Sequence, residues 1–136
     1  MCLPSPHARA ADLAGVTLSL TCLVHCLALP LAILFAPALS PWLTLPDGVH
    51  SAVLLIAMPT ALIAMTGGWR DHRHPAPPLI AAAGLGLLAL GLAAHEGWLA
   101  VSDPEVADRW LSSLGALALA SAHLINWRLR VRTGRC

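Results

Sequence analysis

The sequence predicts an all-α protein, a bundle of four transmembrane helices forming one integral membrane domain over residues 1–136. Three observations carry that expectation. Apolar residues make up 57% of the chain and charged residues 11%, where an ordinary soluble domain carries roughly 25% charged residues. Four segments have the length and polarity of a membrane span, which takes about 20 mostly apolar residues. Arg is spread very unevenly between the loops that separate those segments.

The first span covers about 13–35, and Pro37, Pro41 and Pro46 then mark a loop with Asp47 and Gly48. The second covers about 50–66 and ends at Gly67-Gly68, before a polar hinge from Trp69 to Pro75. The third covers about 78–94, with His95-Glu96 opening an acidic loop that holds Asp103, Glu105 and Asp108. The fourth covers about 110–127 and leads into a basic tail. The first apolar run is too long for the core of a cleaved signal, so it is expected to stay as a span. Gly84, Gly86 and Gly91 suggest close packing in the third span but match no GxxxG repeat.

With four crossings, both termini and the second loop share a face. That face holds Arg9, Arg70, Arg73, Arg128, Arg130, Arg132 and Arg135, and the other only Arg109 among Asp47, Glu96, Asp103, Glu105 and Asp108. The Arg-rich face is the cytoplasmic one, which predicts a multi-pass inner-membrane protein with cytoplasmic N- and C-termini. Trp42, Trp69, Trp98, Trp110 and Trp127 fall near span ends, as interfacial aromatics should. A net charge of +1 gives no attraction to nucleic acid. The lasting partner is therefore lipid, and a homodimer is compatible with so small a bundle.

Chemistry concentrates in the first span. Spacings of three and four place Cys22, His25 and Cys26 along one helical face. Measured from Leu13, Cys22 lies roughly 13 Å and Cys26 roughly 20 Å into the helix. An ionisable side chain at that depth is costly and points to a function. Thiolates select soft or borderline cations such as Hg(II), Cu(I) and Zn(II), and two of them neutralise a divalent ion that hydrocarbon would otherwise exclude. Pro30 removes the helical partner of the Cys26 carbonyl, which predicts a kink there, and Pro59 does the same for Leu55.

Other residues extend this set. His123, which shares a face with Asn126 in the fourth span, is a fourth candidate ligand, an exit-side relay or a packing residue bonded to a neighbouring helix. His50, Asp47, His95 and Glu96 could form an outer capture site. His72, His74 and Cys136 could relay an ion toward a cytoplasmic thiol acceptor. Cys2, Cys22, Cys26 and Cys136 are all read as thiols, since a pair four apart on a helix is poorly placed for a disulfide.

The stretches Ser19–Pro30 (SLTCLVHCLALP), His50 before an apolar run, Arg70–His74, His95-Glu96 and His123–Trp127 (HLINW) together resemble the MerC family of mercury-resistance inner-membrane proteins. The resemblance implies uptake or binding of mercuric ion, with the paired cysteines of the first helix as carriers. Transposon-type members carry Cys-x-x-Cys; here the fourth position is His25 and the second thiol is Cys26. Cys22 and Cys26 therefore take the thiol roles, and two Cys with His25 and a second His would also suit tetrahedral zinc.

Two other classes compete with a metal transporter or metal-binding protein that holds no permanent cofactor. One is a haem-binding redox protein using His25 and His123, whose predicted depths differ by roughly 10 Å. The other is a structural subunit without transport. No hydrolase triad, phosphate loop or catalytic carboxylate pair is visible, so the expectation is not an enzyme.

Overall fold

The computed structural model describes residues 6–39 and 48–133. The chain forms four helices: α1 (Pro6–Phe35), α2 (Val49–His72), α3 (Ala76–His95) and α4 (Pro104–Thr133), with a short 3-10 turn at Pro37–Leu39 after α1. Among the described residues there is no strand. Successive helices run antiparallel. α2 and α4 form the inner pair, each packing on all the others, while α1 and α3 flank them without a close approach of their backbones among the described residues.

Packing is inverted relative to a soluble bundle. Large aliphatic side chains such as Val24, Leu34, Leu55 and Leu62 point outward, and Phe35 is 84% exposed. The interior is built from Ala61, Ala64, Ala81, Ala116 and Ala122, with Leu88, Leu119, Met65 and the thiols Cys22 and Cys26. In lipid, apolar burial no longer drives helices together, and small residues that let backbones approach take over.

Each helix buries a stripe spaced alternately by about three and four residues. On α1 it is Asp12, Gly15, Ser19, Cys22 and Cys26; on α3 it is Pro77, Ala81, Gly84, Leu88 and Gly91. That repeat is the seam of near-aligned helix packing. It also explains the glycines of the third span. Gly84 and Gly91, seven apart, face α4, whereas Gly86 faces open space. A methyl group on Gly84 would stand 2.9 Å from the Gly115 carbonyl oxygen, and one on Gly115 would stand 2.8 Å from that of Gly84. Backbone must move to admit either. The Gly84→Ala variant is expected to lose about 1–2 kcal/mol, since overpacking costs about 1–3 kcal/mol and outweighs the gain in helix propensity. Its unfolding midpoint in mixed detergent should fall.

Three of the predicted spans are borne out as helices long and apolar enough to cross a membrane: Ala10–Phe35, Ser51–His72 and Ala76–His95. The fourth is not. α4 is helical over the predicted 110–127 and well beyond it, but it is too polar to count as a span. Its inner face buries Asp108, Ser112, Ser113, His123, Asn126 and Arg130. Those groups are solvated by the protein, because α4 is wrapped by its three neighbours. Three apolar helices do not support the count of crossings that put both termini on one face.

Boundaries shift for identifiable reasons. α2 continues through Gly67-Gly68, where the Arg130 and Asn126 side chains of α4 occupy the space that Cβ atoms would fill. The hinge shrinks to the residues around Arg73, which ends α2 in the left-handed conformation (φ 57°, ψ 20°) and donates its N–H to the Trp69 carbonyl. α4 takes in Glu105 and Asp108 from the expected acidic loop, and Arg128, Arg130 and Arg132 from the expected tail. α1 and α2 run on through Pro30 and Pro59.

Candidate functional site

The buried stripe of α1 brings two thiols together. Cys22 and Cys26 are both buried, unbridged, and hold their sulfurs 4.0 Å apart. Because α1 enters its apolar stretch at Ala10, Cys22 lies about 18 Å and Cys26 about 24 Å along a span of about 38 Å. The pair straddles the middle of the span and the turn beyond it.

His25 stands beside the pair rather than on the buried stripe. It sits one residue off the stripe, half-buried, and with Cys26 lines a groove of about 400 Å³. The other walls are Leu29 and Ile33 of α1, His95 at the end of α3, and Glu105, Asp108 and Arg109 in the first turns of α4. His95 Nδ1 stands 3.5 Å from Asp108 Oδ2, and the Ser112 hydroxyl donates to Asp108 Oδ1 at 2.8 Å. Ser112 in turn borders a small, partly open space of about 10 Å³ beside Cys22, lined also by Val53, Leu54 and Leu88.

His123 lies elsewhere. Its ring packs against Gly15, two turns or about 10 Å along α1 from Cys22. Its Nδ1–H donates to Asp12 Oδ1 at 3.2 Å. Around that pair stands a buried polar cluster that ties α1, α2 and α4 together. Asn126 Nδ2 donates to both oxygens of Asp12, at 2.9 and 3.1 Å, and to the Ala64 carbonyl at 3.2 Å. Arg130 donates through Nη2 to the Ala64 carbonyl at 2.7 Å, and its Nη1 lies 3.6 Å from Asp12 Oδ2. Arg130 Nε lies 3.5 Å from Asp71 Oδ2. His72 closes the cluster: its Nδ1 accepts the His74 N–H and its Nε2–H donates to Asn126 Oδ1, both at 2.9 Å. Those two bonds fix the tautomer with the proton on Nε2. Gly15 and Gly68 are the approach points for the His123 ring and the Asn126 amide, which a side chain at either position would displace.

The expected ligand set is thus divided. Cys22 and Cys26 meet; His25 flanks them on the groove side; His123 belongs to the Asp12 cluster. Among the described residues no three His, Cys, Asp or Glu side chains are grouped so as to hold a metal ion. Of the expected outer capture residues, His95 reaches the groove, while Glu96 caps α3 in solvent. Asp47 and Cys136 lie outside the described residues, as does the side chain of His50. Of the expected relay residues, His72 ends α2 inside the cluster, and His74 Nδ1 accepts the Ala76 N–H at 3.3 Å.

Sequence reasoning missed Asp12, Asp108 and Arg130. The signal that could have found them is the alternating three-and-four spacing. It runs from Asp12 to Cys26 on α1, and from Asp108 through Ser112, Gly115, Leu119, His123 and Asn126 to Arg130 on α4.

Neither a curated protein nor a solved structure matches the chain. A family model does: that of the MerC mercury resistance protein, over residues 12–128. The match begins at the buried Asp12 and takes in the thiol pair, the groove and His123 and Asn126 of the cluster. The chain is therefore a multi-pass membrane protein that belongs to the MerC family of mercury resistance proteins.

Proposed function

We propose that the protein carries mercuric ion across the inner membrane, held between the thiolates of Cys22 and Cys26. One observation carries this reading: two buried sulfurs on the inner stripe of α1, 4.0 Å apart. With metal–thiolate bonds of about 2.3 Å, a linear pair needs its sulfurs about 4.6 Å apart and a tetrahedral pair about 3.8 Å. The observed spacing reaches either with a small side-chain rotation. Two thiolates cancel the charge of a divalent ion, so the complex is tolerated mid-span.

The absence of a third grouped ligand among the described residues favours a two-coordinate soft ion over zinc, which takes four ligands. Zinc and copper(I) are the alternatives for the same pair. A haem held by His25 and His123 is disfavoured, because His123 gives Nδ1 to Asp12 and packs its ring on Gly15, away from the groove that His25 lines.

Arg70, Arg73, Arg128, Arg130 and Arg132 lie toward the end of the bundle where α2 and α4 finish, and this excess of Arg supports reading that end as the cytoplasmic one. The groove then opens toward the periplasmic side, and the ion leaves toward a cytoplasmic thiol acceptor. Cells making the Cys22→Ser, Cys26→Ser double variant, at equal membrane levels of protein, are expected to accumulate no more mercury than cells lacking the protein. Accumulation equal to wild type would remove the proposal.

A further inference from the structure

Away from the thiols, an open groove of about 620 Å³ runs between α2 and α3, and no residue of α1 or α4 lines it. Ala61, Ala81 and Ala82 create it, because a trough stands where their side chains supply so little volume. Leu62 of α2 and Leu85 of α3 rise as its walls. The Thr66 hydroxyl that borders it donates to the Leu62 carbonyl at 2.7 Å, so its polarity is already satisfied.

The two ends of the groove differ. Along α2 it extends from Met58 to Arg70, about 18 Å at 1.5 Å per residue. One leaflet of a hydrocarbon core about 30 Å thick is about 15 Å deep, so the groove is as long as one layer of acyl chains. Met58 lies in the middle of the span Ser51–His72, whereas Trp69 and Arg70 lie at its end, at the level of the headgroups. The charge at that end is positive. Asp71, the neighbour of Arg70 in the chain, faces Arg130 at 3.5 Å and does not line the groove. Arg73, exposed in the turn that follows, adds a second guanidinium at the same end.

We infer that the α2–α3 groove is a binding site for one anionic phospholipid, its acyl chain laid along Ala61, Ala81 and Ala82 and its phosphate at Arg70. The site is independent of the thiols and of the metal they hold. Three features select this occupant: apolar walls, a length of one leaflet, and a cationic mouth at headgroup depth. A zwitterionic lipid would fill the trough, but its own ammonium group would oppose the guanidinium. A second copy of the chain fits less well. Lying in the same orientation in the membrane, it would bring its own Arg-rich end against Arg70 and Arg73, and like charges repel.

The test uses the full chain in lipid nanodiscs, with Trp42, Trp98, Trp110 and Trp127 replaced by Phe so that Trp69 alone reports. Its fluorescence is followed as phosphatidylglycerol or phosphatidylcholine, each brominated in the upper half of its chains, replaces unbrominated lipid. Trp69 is expected to favour the anionic lipid about fivefold, the gain from one Arg near an anionic headgroup. Arg70→Gln should lower that preference at least about threefold, and high salt should shrink it. For comparison, Ile56→Trp, in a chain that also carries Trp69→Phe, reports from a groove between α1 and α2 lined by no charged side chain. There the preference should be close to none. Ala82→Phe fills the α2–α3 groove from an exposed position and should reduce quenching of Trp69 by both lipids. Equal preference at the two positions, an unchanged preference in Arg70→Gln, or unchanged quenching in Ala82→Phe would overturn the inference. So would weak quenching of Trp69 in a chain that Ala82→Phe converts from dimer to monomer, which would put a second copy in the groove.

Discussion

Replacing Asp12 with Ala is expected to destabilise the bundle by about 3 kcal/mol, the low end of the cost of removing one partner from a buried ion pair. Asp12 is 1% exposed and accepts hydrogen bonds from His123 and Asn126 while facing Arg130. Without it, the Arg130 guanidinium keeps only the Ala64 carbonyl and the more distant, half-exposed Asp71. Its Nε and Nη1 already make no hydrogen bond of their own, so the remaining charge has little compensation. Asp12→Asn preserves shape and hydrogen-bonding oxygen but loses the charge, and should cost about half as much. The measurement is the unfolding midpoint in mixed detergent. If Asp12→Ala and Asp12→Asn both unfold with wild type, the cluster does not hold α1, α2 and α4 together. The thiols lie about 15 Å and about 21 Å from Asp12 along α1, so mercury bound per folded molecule should be little changed in Asp12→Asn.

The second large effect concerns metal preference in the purified protein. One mercuric ion per chain is expected, against zinc binding weaker by at least ~100-fold, because among the described residues no third and fourth ligand is grouped with the sulfurs. Each thiol gives up a proton as it binds, so the sign is plain: apparent affinity rises with pH. Below the thiol range the rise approaches about a hundredfold per pH unit for two released protons. The Cys22→Ser, Cys26→Ser protein should lose both the bound ion and that dependence. Elemental analysis and competitive titration with a thiol chelator measure these quantities. Zinc held as tightly as mercury would mean that His25 swings in as a third ligand.

The helical class, three spans and the place of Cys22 and Cys26 on one face of the first helix were all legible along the chain. Each depends on short-range properties: hydropathy over about 20 residues, and the angle between positions three and four apart. His25 shows the limit of that reasoning. Positions 22, 25 and 26 are neighbours on a helix surface, yet only two of them lie on the seam that α2 and α4 cover. Which flank of a helix becomes the seam depends on the other helices. Arg130 and Asp108 show the same limit from the other direction: one reads as part of a basic tail and the other as part of an acidic loop, and both are buried.

The sequence by itself determined a membrane protein with a thiol pair in its first helix, because burial in lipid demands apolar length and any polar intrusion stands out against it. Only the tertiary structure decided that α4 is a polar inner helix, that His123 answers to Asp12 rather than to the sulfurs, and that Cys26 shares a groove with His25 and His95. Those are facts about which side chains meet across helices, and residues 111 positions apart share no local signal that they will touch.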